Sequence, residues 1–251
     1  MAFVLANGIT HHVQELGSGR PVVMLHGLLG SMATWYFTAA PVLARSHRVL
    51  LYDLRGHGKS ARAPTGYGVA SMADDLESLT AGFSTDPLTL IGHSYGAAIA
   101  LQFALRRPER VDRLVLVESP LPPSDLQDLE AFVGLRWDEK MGALPESVRA
   151  SLERQGRRGR KFVDNYRFLA RDSSLLSDLR SNLDISDETL ARMDRRALLL
   201  YGTRSSCQSV GKRLSQVLPR AEFLLIEGGH FLPVDAPTEV TAHIMRFLKS
   251  G

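Results

Sequence analysis

Short, continuous apolar runs alternate with longer amphipathic segments along most of this chain. The runs lie at 21–25, 49–52, 88–91, 114–117, 197–201 and 223–226, and residues 9–15 alternate less regularly. Such runs are typical of strands buried on both faces of a parallel sheet. The segments between them predict helices at 32–44, 69–80, 95–106, 210–218 and 238–249. This alternation indicates βαβ units and a mainly parallel sheet with helices on both faces.

One interval breaks the alternation, because no buried-strand run occurs in residues 119–196. It opens with prolines at 120, 122 and 123 and continues as a charged, helix-prone segment. We predict a helical insertion here, so that residues 1–118 and 197–251 form the core and 119–196 form a cap. The basic run at 154–161 within it is typical of a solvated loop or helix end, with an anionic substrate group or a nucleic acid as alternatives.

Composition excludes several classes of protein. The 251 residues include one cysteine, so no internal disulfide is expected, and the 30 basic residues oppose 27 acidic ones, unlike a nucleic-acid-binding chain. No apolar run approaches the roughly 18 residues of a membrane span. The first residues carry no basic segment ahead of their short apolar stretch, so we expect no secretory signal and a cytoplasmic location.

The segment Gly92-His93-Ser94-Tyr95-Gly96 is the strongest chemical signal. It lies between an apolar strand and a predicted helix, which is the context of a nucleophile elbow. A sharp turn there forces the serine into a strained backbone and leaves no room for side chains two positions away. Ser94 would stand at a helix N-terminus, which favours developing negative charge.

With these residues the chain resembles the α/β-hydrolase family, in its compact form with a helical cap. Segments 24–31, 52–60 and 227–233 support the resemblance, which covers nearly all residues outside 119–196. It implies a mainly parallel eight-stranded sheet. It also implies an oxyanion hole formed by the N–H groups of Leu28 and Tyr95. His26, Asp53 and His57 would be structural.

His230 is the predicted general base. It follows an apolar strand and two glycines, and the order of Ser94 before His230 fits the family. The chain departs from the family at the acid, because Ser205 stands where an aspartate is usual. We predict that Glu118, at the end of the preceding strand, supplies the carboxylate that the histidine needs. A dyad assisted by water or Ser205 is the alternative, and Asp235 is a more remote choice.

The resemblance and these residues predict a serine hydrolase that cleaves a small carboxylic ester, thioester or lactone. Alternatives are a carbon–carbon bond hydrolase or lyase, a perhydrolase, and a ligand-binding sensor with little turnover, which the missing aspartate motivates. Trp35, Trp137 and Phe231 are tentative pocket residues for an apolar acyl or aromatic group. We expect no metal and no cofactor, because no phosphate loop appears and His11 and His12 point to opposite faces of a strand.

Overall fold

The computed structural model describes residues 2–121, 124–134 and 163–250 of the chain. Eight strands form one sheet in the order β1-β2-β4-β3-β5-β6-β7-β8. The strands are β1 Ala2–Ala6, β2 Ile9–Leu16, β3 Arg20–Leu25, β4 His47–Tyr52, β5 Leu88–His93, β6 Val111–Val117, β7 Arg196–Gly202 and β8 Ala221–Ile226. Strands β3 to β8 pair in parallel, whereas β1 and β2 join as an antiparallel edge. The predicted mainly parallel eight-stranded sheet is confirmed.

The helices lie between the strands. Their bounds are Ala33–Tyr36, Ala40–Leu43, Val69–Ala81, Tyr95–Arg106, Ser124–Gly134, Leu175–Arg180, Asp187–Ala191, Gln208–Val217, Leu232–Asp235 and Pro237–Lys249, with a 3-10 turn at Pro108–Arg110 and a π-helix at Phe168–Asp172. The single helix predicted at 32–44 is wrong, since two short helices stand there. Pro41 explains the break, because its missing N–H is tolerated only in a first helical turn, where the structure places it.

Apolar side chains bury both faces of the sheet. Neighbouring strand residues belong to different core layers: Leu25 and Tyr52 pack on one face, and Met24 and Leu51 pack on the other. Side chains alternate across a strand, so continuous apolar runs are required wherever helices cover both sides. Because the parallel strands all end at one edge, the loops after β3, β5, β6, β7 and β8 meet there.

The described part of residues 119–196 contains helices and no strand before β7, which begins at Arg196. Polar contacts join it to the loop before helix Val69–Ala81. The Tyr67 N–H donates to Asp178 Oδ2 at 2.7 Å and the Val69 N–H donates to Asn182 Oδ1 at 3.1 Å. Within the described residues, no helix is long and apolar enough to cross a membrane.

Candidate active site

Ser94 lies in the sharp turn between β5 and the helix Tyr95–Arg106, with a φ of 52°. Its N–H donates to the Val117 carbonyl at 2.9 Å and its carbonyl accepts from the Ala97 N–H at 2.8 Å. A Cβ at Gly92 would overlap Ala97, and one at Gly96 would overlap the His26 carbonyl. The two glycines are therefore required by close approach of the backbone, as expected from the motif.

Three predicted site residues form one hydrogen-bonded chain. Ser94 Oγ lies 2.8 Å from His230 Nε2, and His230 Nδ1 lies 3.1 Å from Glu118 Oε2. A carboxylate can only accept, so the neutral ring carries its proton on Nδ1 and offers Nε2 as the acceptor for the serine hydroxyl. The structure thus brings together side chains that are 136 and 112 positions apart along the chain.

Glu118 is fully buried at the carboxyl end of β6, with a φ of 55°. Its own N–H donates to the Leu200 carbonyl at 2.9 Å. The Gly202 N–H donates to Oε1, and the Ser205 hydroxyl donates to Oε2, the oxygen that also faces His230. These donors satisfy a carboxylate that would otherwise be costly to bury.

The loop after β8 is held in place from two sides. Close packing of Gly202 against the Gly228 and Gly229 carbonyls leaves no room for a side chain at position 202. His93, also buried, donates from Nε2 to the His230 carbonyl at 2.8 Å. The sequence offered no sign that His93 has this contact, because it depends on the meeting of two distant loops.

His230 sits beside charged and polar groups that favour its protonated form. Burial acts against that form, but hydrogen bonds with Cys207 and Glu118 and their charges outweigh burial and raise the pKa of His230 to about 9. The Cys207 sulfur lies 3.8 Å from Nδ1. On the other side, burial and then the His230 charge lower the pKa of His93 to about 3, so His93 stays neutral.

The two backbone donors expected from the resemblance flank Ser94. A Cβ at Gly27 would lie 3.1 Å from Ser94 Cβ, so the loop that carries Leu28 runs directly against the serine. Tyr95 opens the helix after the serine. Among the described residues, neither the Leu28 nor the Tyr95 N–H donates to a backbone carbonyl in the turns and loops, and their role as an oxyanion hole stays a prediction.

Two histidines, His26 and His57, hydrogen-bond to the loop that carries Leu28 and hold it in place. Leu29 has a φ of 62°, which is unfavourable for a leucine, and its N–H donates to His57 Nε2 at 3.1 Å. His57 Nδ1 donates to the Arg55 carbonyl at 2.8 Å. His26 Nε2 accepts from the Leu54 N–H at 3.0 Å and its Nδ1 donates to the Gly27 carbonyl at 2.8 Å. Both rings have the structural contacts that we predicted.

Asp53 also has the structural place predicted for it. Its carboxylate accepts from the Met32 N–H at 2.8 Å and the Lys59 N–H at 2.9 Å, and lies 2.8 Å from His12 Nδ1. Asp235, the remote choice of acid, is exposed at the end of a short helix. Neither residue competes with Glu118 for the contact with His230.

The three residues predicted to line the pocket lie in different places. Trp35 is fully buried, and its indole N–H donates to the Leu25 carbonyl at 2.8 Å, so it packs in the core and does not line an accessible pocket. Phe231 is half-buried with its ring edge-on to His230 at 5.7 Å, and a pocket role for it stays a prediction. Trp137 lies outside the described residues.

A family model for the alpha/beta hydrolase fold matches residues 20–237. The chain belongs to the α/β-hydrolase family. It is 40% identical over 118 residues to a 2-hydroxy-6-oxo-2,4-heptadienoate hydrolase of Pseudomonas putida, covering 45% of this chain and 42% of that protein. It is 30% identical over 209 residues to the sn-1-specific diacylglycerol lipase ABHD11 of Danio rerio, covering 82% and 60%. The matches thus span less than two thirds of either curated relative.

Solved structures of this family share the fold at low identity. A hydrolase from Pseudomonas aeruginosa PA01 superposes with a TM-score of 0.81 at 22% identity, covering 99% of this chain and 98% of that one. This likeness shows the fold, and the family match places the chain among the α/β hydrolases.

Proposed function

We propose that this chain is a serine hydrolase that cleaves a small carboxylic ester, thioester or lactone through an acyl-enzyme. One observation carries the proposal: the unbroken contact from Ser94 through His230 to Glu118. A hydroxyl becomes a strong nucleophile when an oriented imidazole can take its proton, and a carboxylate on the far nitrogen stabilises the imidazolium that forms.

In the proposed reaction the Ser94 oxygen attacks the substrate carbonyl as its proton passes to His230 Nε2. The N–H groups of Leu28 and Tyr95 bind the oxyanion. Collapse of the intermediate breaks the bond to the leaving group, which takes the proton from His230. Water then attacks the acyl-enzyme, gives a proton to the same nitrogen, and releases the carboxylic acid as Ser94 regains its hydrogen.

In this proposal Glu118 acts as the acid of the triad, in place of the usual aspartate after β7. Ser205 occupies that position and supports Glu118 through its hydroxyl. The contact between Glu118 and His230 supports an enzyme over a ligand-binding sensor, since it gives the histidine an anionic partner although position 205 carries no aspartate.

We further propose that residues 119–196 form a cap that selects substrates with an apolar acyl or aromatic portion. Support comes from the helices of the described part and from the contacts of Asp178 and Asn182 with the core. A cytoplasmic location also stays a prediction.

A fluorophosphonate probe followed by mass spectrometry tests the nucleophile. We expect one adduct on Ser94 in the wild type and none in Ser94→Ala, with p-nitrophenyl ester turnover lost in parallel. Ser71→Ala, on the helix Val69–Ala81, is the matched control and should react normally. Absence of both labelling and ester turnover in the wild type would contradict the proposal.

Carbon–carbon bond hydrolysis is the second candidate, favoured by the partial match to a 2-hydroxy-6-oxo-2,4-heptadienoate hydrolase. A panel that pairs simple esters, thioesters and lactones with a β-diketone separates the two. Turnover of the diketone without ester turnover would favour this candidate.

A further inference from the structure

Cys207, His230 and Glu118 direct one ligand atom each to a common point behind the catalytic histidine. Cys207 Sγ, His230 Nδ1 and a Glu118 oxygen all lie within 4.8 Å of one another. Cys207 is buried and Glu118 has no exposed surface, whereas the side chain of His230 is 29% exposed. The three residues come from the loops after three neighbouring strands, so the backbone positions each of them independently.

We propose that Cys207, His230 and Glu118 form an inhibitory site for Zn²⁺, with water as the fourth ligand. Thiolate, imidazole and carboxylate are the three protein ligands that zinc binds, usually in a tetrahedron. The thiolate selects zinc or cadmium over magnesium, which prefers oxygen ligands in an octahedron. The inhibitory consequence rests on the proposed role of His230 as the base, whereas metal binding does not.

The distances match this coordination. Zinc bonds of about 2.3 Å to sulfur and about 2.1 Å to nitrogen separate the two atoms by about 3.6 Å in a tetrahedron. Cys207 Sγ and His230 Nδ1 are 3.8 Å apart. Two ligands at about 2.1 Å lie about 3.4 Å apart, and His230 Nδ1 and Glu118 Oε2 are 3.1 Å apart. Both separations lie within a few tenths of an ångström of the tetrahedral values, and the third, between Cys207 Sγ and the Glu118 oxygen, is at most 4.8 Å.

The surroundings favour the charges that zinc requires. Cys207 is the N-cap residue of the helix Gln208–Val217, so it lies at the positive end of the helix dipole. The Ser205 hydroxyl and Gly202 N–H orient the Glu118 carboxylate. One thiolate and one carboxylate neutralise the two charges of zinc, so the occupied site carries no net charge in a buried position.

Zinc would inhibit through the tautomer of His230. On binding, the protons of the Cys207 thiol and of His230 Nδ1 leave to solvent, the sulfur and Nδ1 coordinate the metal, and a ring that was protonated on both nitrogens keeps its Nε2 proton. The neutral ring then holds its one proton on Nε2, the nitrogen that faces Ser94 Oγ. Nε2 can no longer accept the serine proton, so ester hydrolysis stops although Ser94 itself is untouched.

Binding and inhibition are measured separately on the full chain after removal of metals with a chelator. Cadmium titration should produce ultraviolet thiolate-to-metal absorption with a stoichiometry of about one in the wild type and in Ser94→Ala, and none in Cys207→Ser. Zinc should inhibit ester turnover reversibly, with recovery on adding EDTA. Magnesium should have no effect.

Each variant is compared with its own metal-free rate, and thermal denaturation checks its folding. We expect Cys207→Ser to raise the zinc inhibition constant at least about tenfold. His243→Ala, which removes a surface histidine paired with Glu239, is the matched control and should leave that constant unchanged. Equal inhibition of wild type and Cys207→Ser, or no thiolate absorption, would overturn the metal site. Absence of ester turnover in the metal-free wild type, with cadmium absorption intact, would instead contradict only the proposed function.

Discussion

The hydroxyl of Ser205 donates a hydrogen bond to the Glu118 carboxylate, although 87 positions separate the two residues. Ser205 stands where family members commonly carry the catalytic aspartate. In this chain the side chain at that position contacts the carboxylate that we propose as the acid, at the end of the neighbouring strand. The bond is made to Oε2, the same oxygen that contacts His230, so Ser205 is placed to orient the proposed triad without touching substrate.

Ser205→Ala should lower kcat about tenfold and leave KM nearly unchanged. Loss of one hydrogen bond to a charged group weakens the hold on Glu118, by about 1.5–3 kcal/mol in other proteins. Ester kinetics at fixed pH check this. Ser205→Thr keeps the hydroxyl and should restore most of the rate, while Ser206→Ala, at an exposed neighbouring serine, serves as the control. An unchanged kcat in Ser205→Ala would contradict an orienting role.

The pH dependence of turnover should follow His230. Only the neutral ring can take the Ser94 proton, and its pKa is raised to about 9. We therefore expect kcat/KM to rise about tenfold per pH unit below that value and to level off above it. Cys207→Ala removes a hydrogen-bond partner of His230, so the plateau should begin at lower pH. A rate that is flat or falls from pH 7 upwards would disagree with this expectation.

The same pKa affects stability. A histidine whose folded pKa lies above its ordinary 6.5 stabilises the protein fully below 6.5, and this contribution disappears as the pH rises towards 9. His93, whose ring lies 5.3 Å from that of His230, stays neutral over this range because its pKa is about 3. Denaturant unfolding of wild type and His230→Gln across this interval measures the difference.

We expect His57 to affect catalysis by holding the loop that carries Leu28. Its Nε2 accepts the Leu29 N–H, and burial, followed by the nearby His26, lowers its pKa to about 3, so it stays an acceptor at working pH. His57→Ala leaves the Leu29 N–H unpaired and frees the loop that carries the Leu28 donor. We expect kcat to fall about tenfold or more, since loss of an oxyanion donor costs about 10²–10³.

Ester kinetics and thermal denaturation test His57 together. His57→Gln retains an acceptor and should recover part of the rate, whereas a purely structural role would lower the melting temperature in His57→Ala with kcat preserved. His47→Ala, at the start of β4, is a matched histidine control outside this loop.

The fold was predictable because continuous apolar runs indicate strands that are buried on both faces of a sheet. Leu25 and Met24, neighbours in β3, pack in opposite core layers. The meeting of Ser94, His230 and Glu118 was predictable because each follows an apolar strand and these parallel strands end at the same edge of the sheet. The split of the 32–44 helix was missed, since apolar periodicity hid the effect of Pro41. The contacts of Cys207 and His93 with His230 depend on how three loops pack, which no local pattern reports.

The rate of Glu118→Gln tests the central claim, that the acid of the triad comes from the end of β6. Glutamine keeps the size of the side chain but cannot stabilise the imidazolium, so kcat should fall by about 10³–10⁴ while the protein stays folded. Glu239→Gln, on the exposed face of the last helix, should hydrolyse the same ester at the wild-type rate. A Glu118→Gln enzyme with near-normal kcat would contradict the account, because His230 would then need another acid or none.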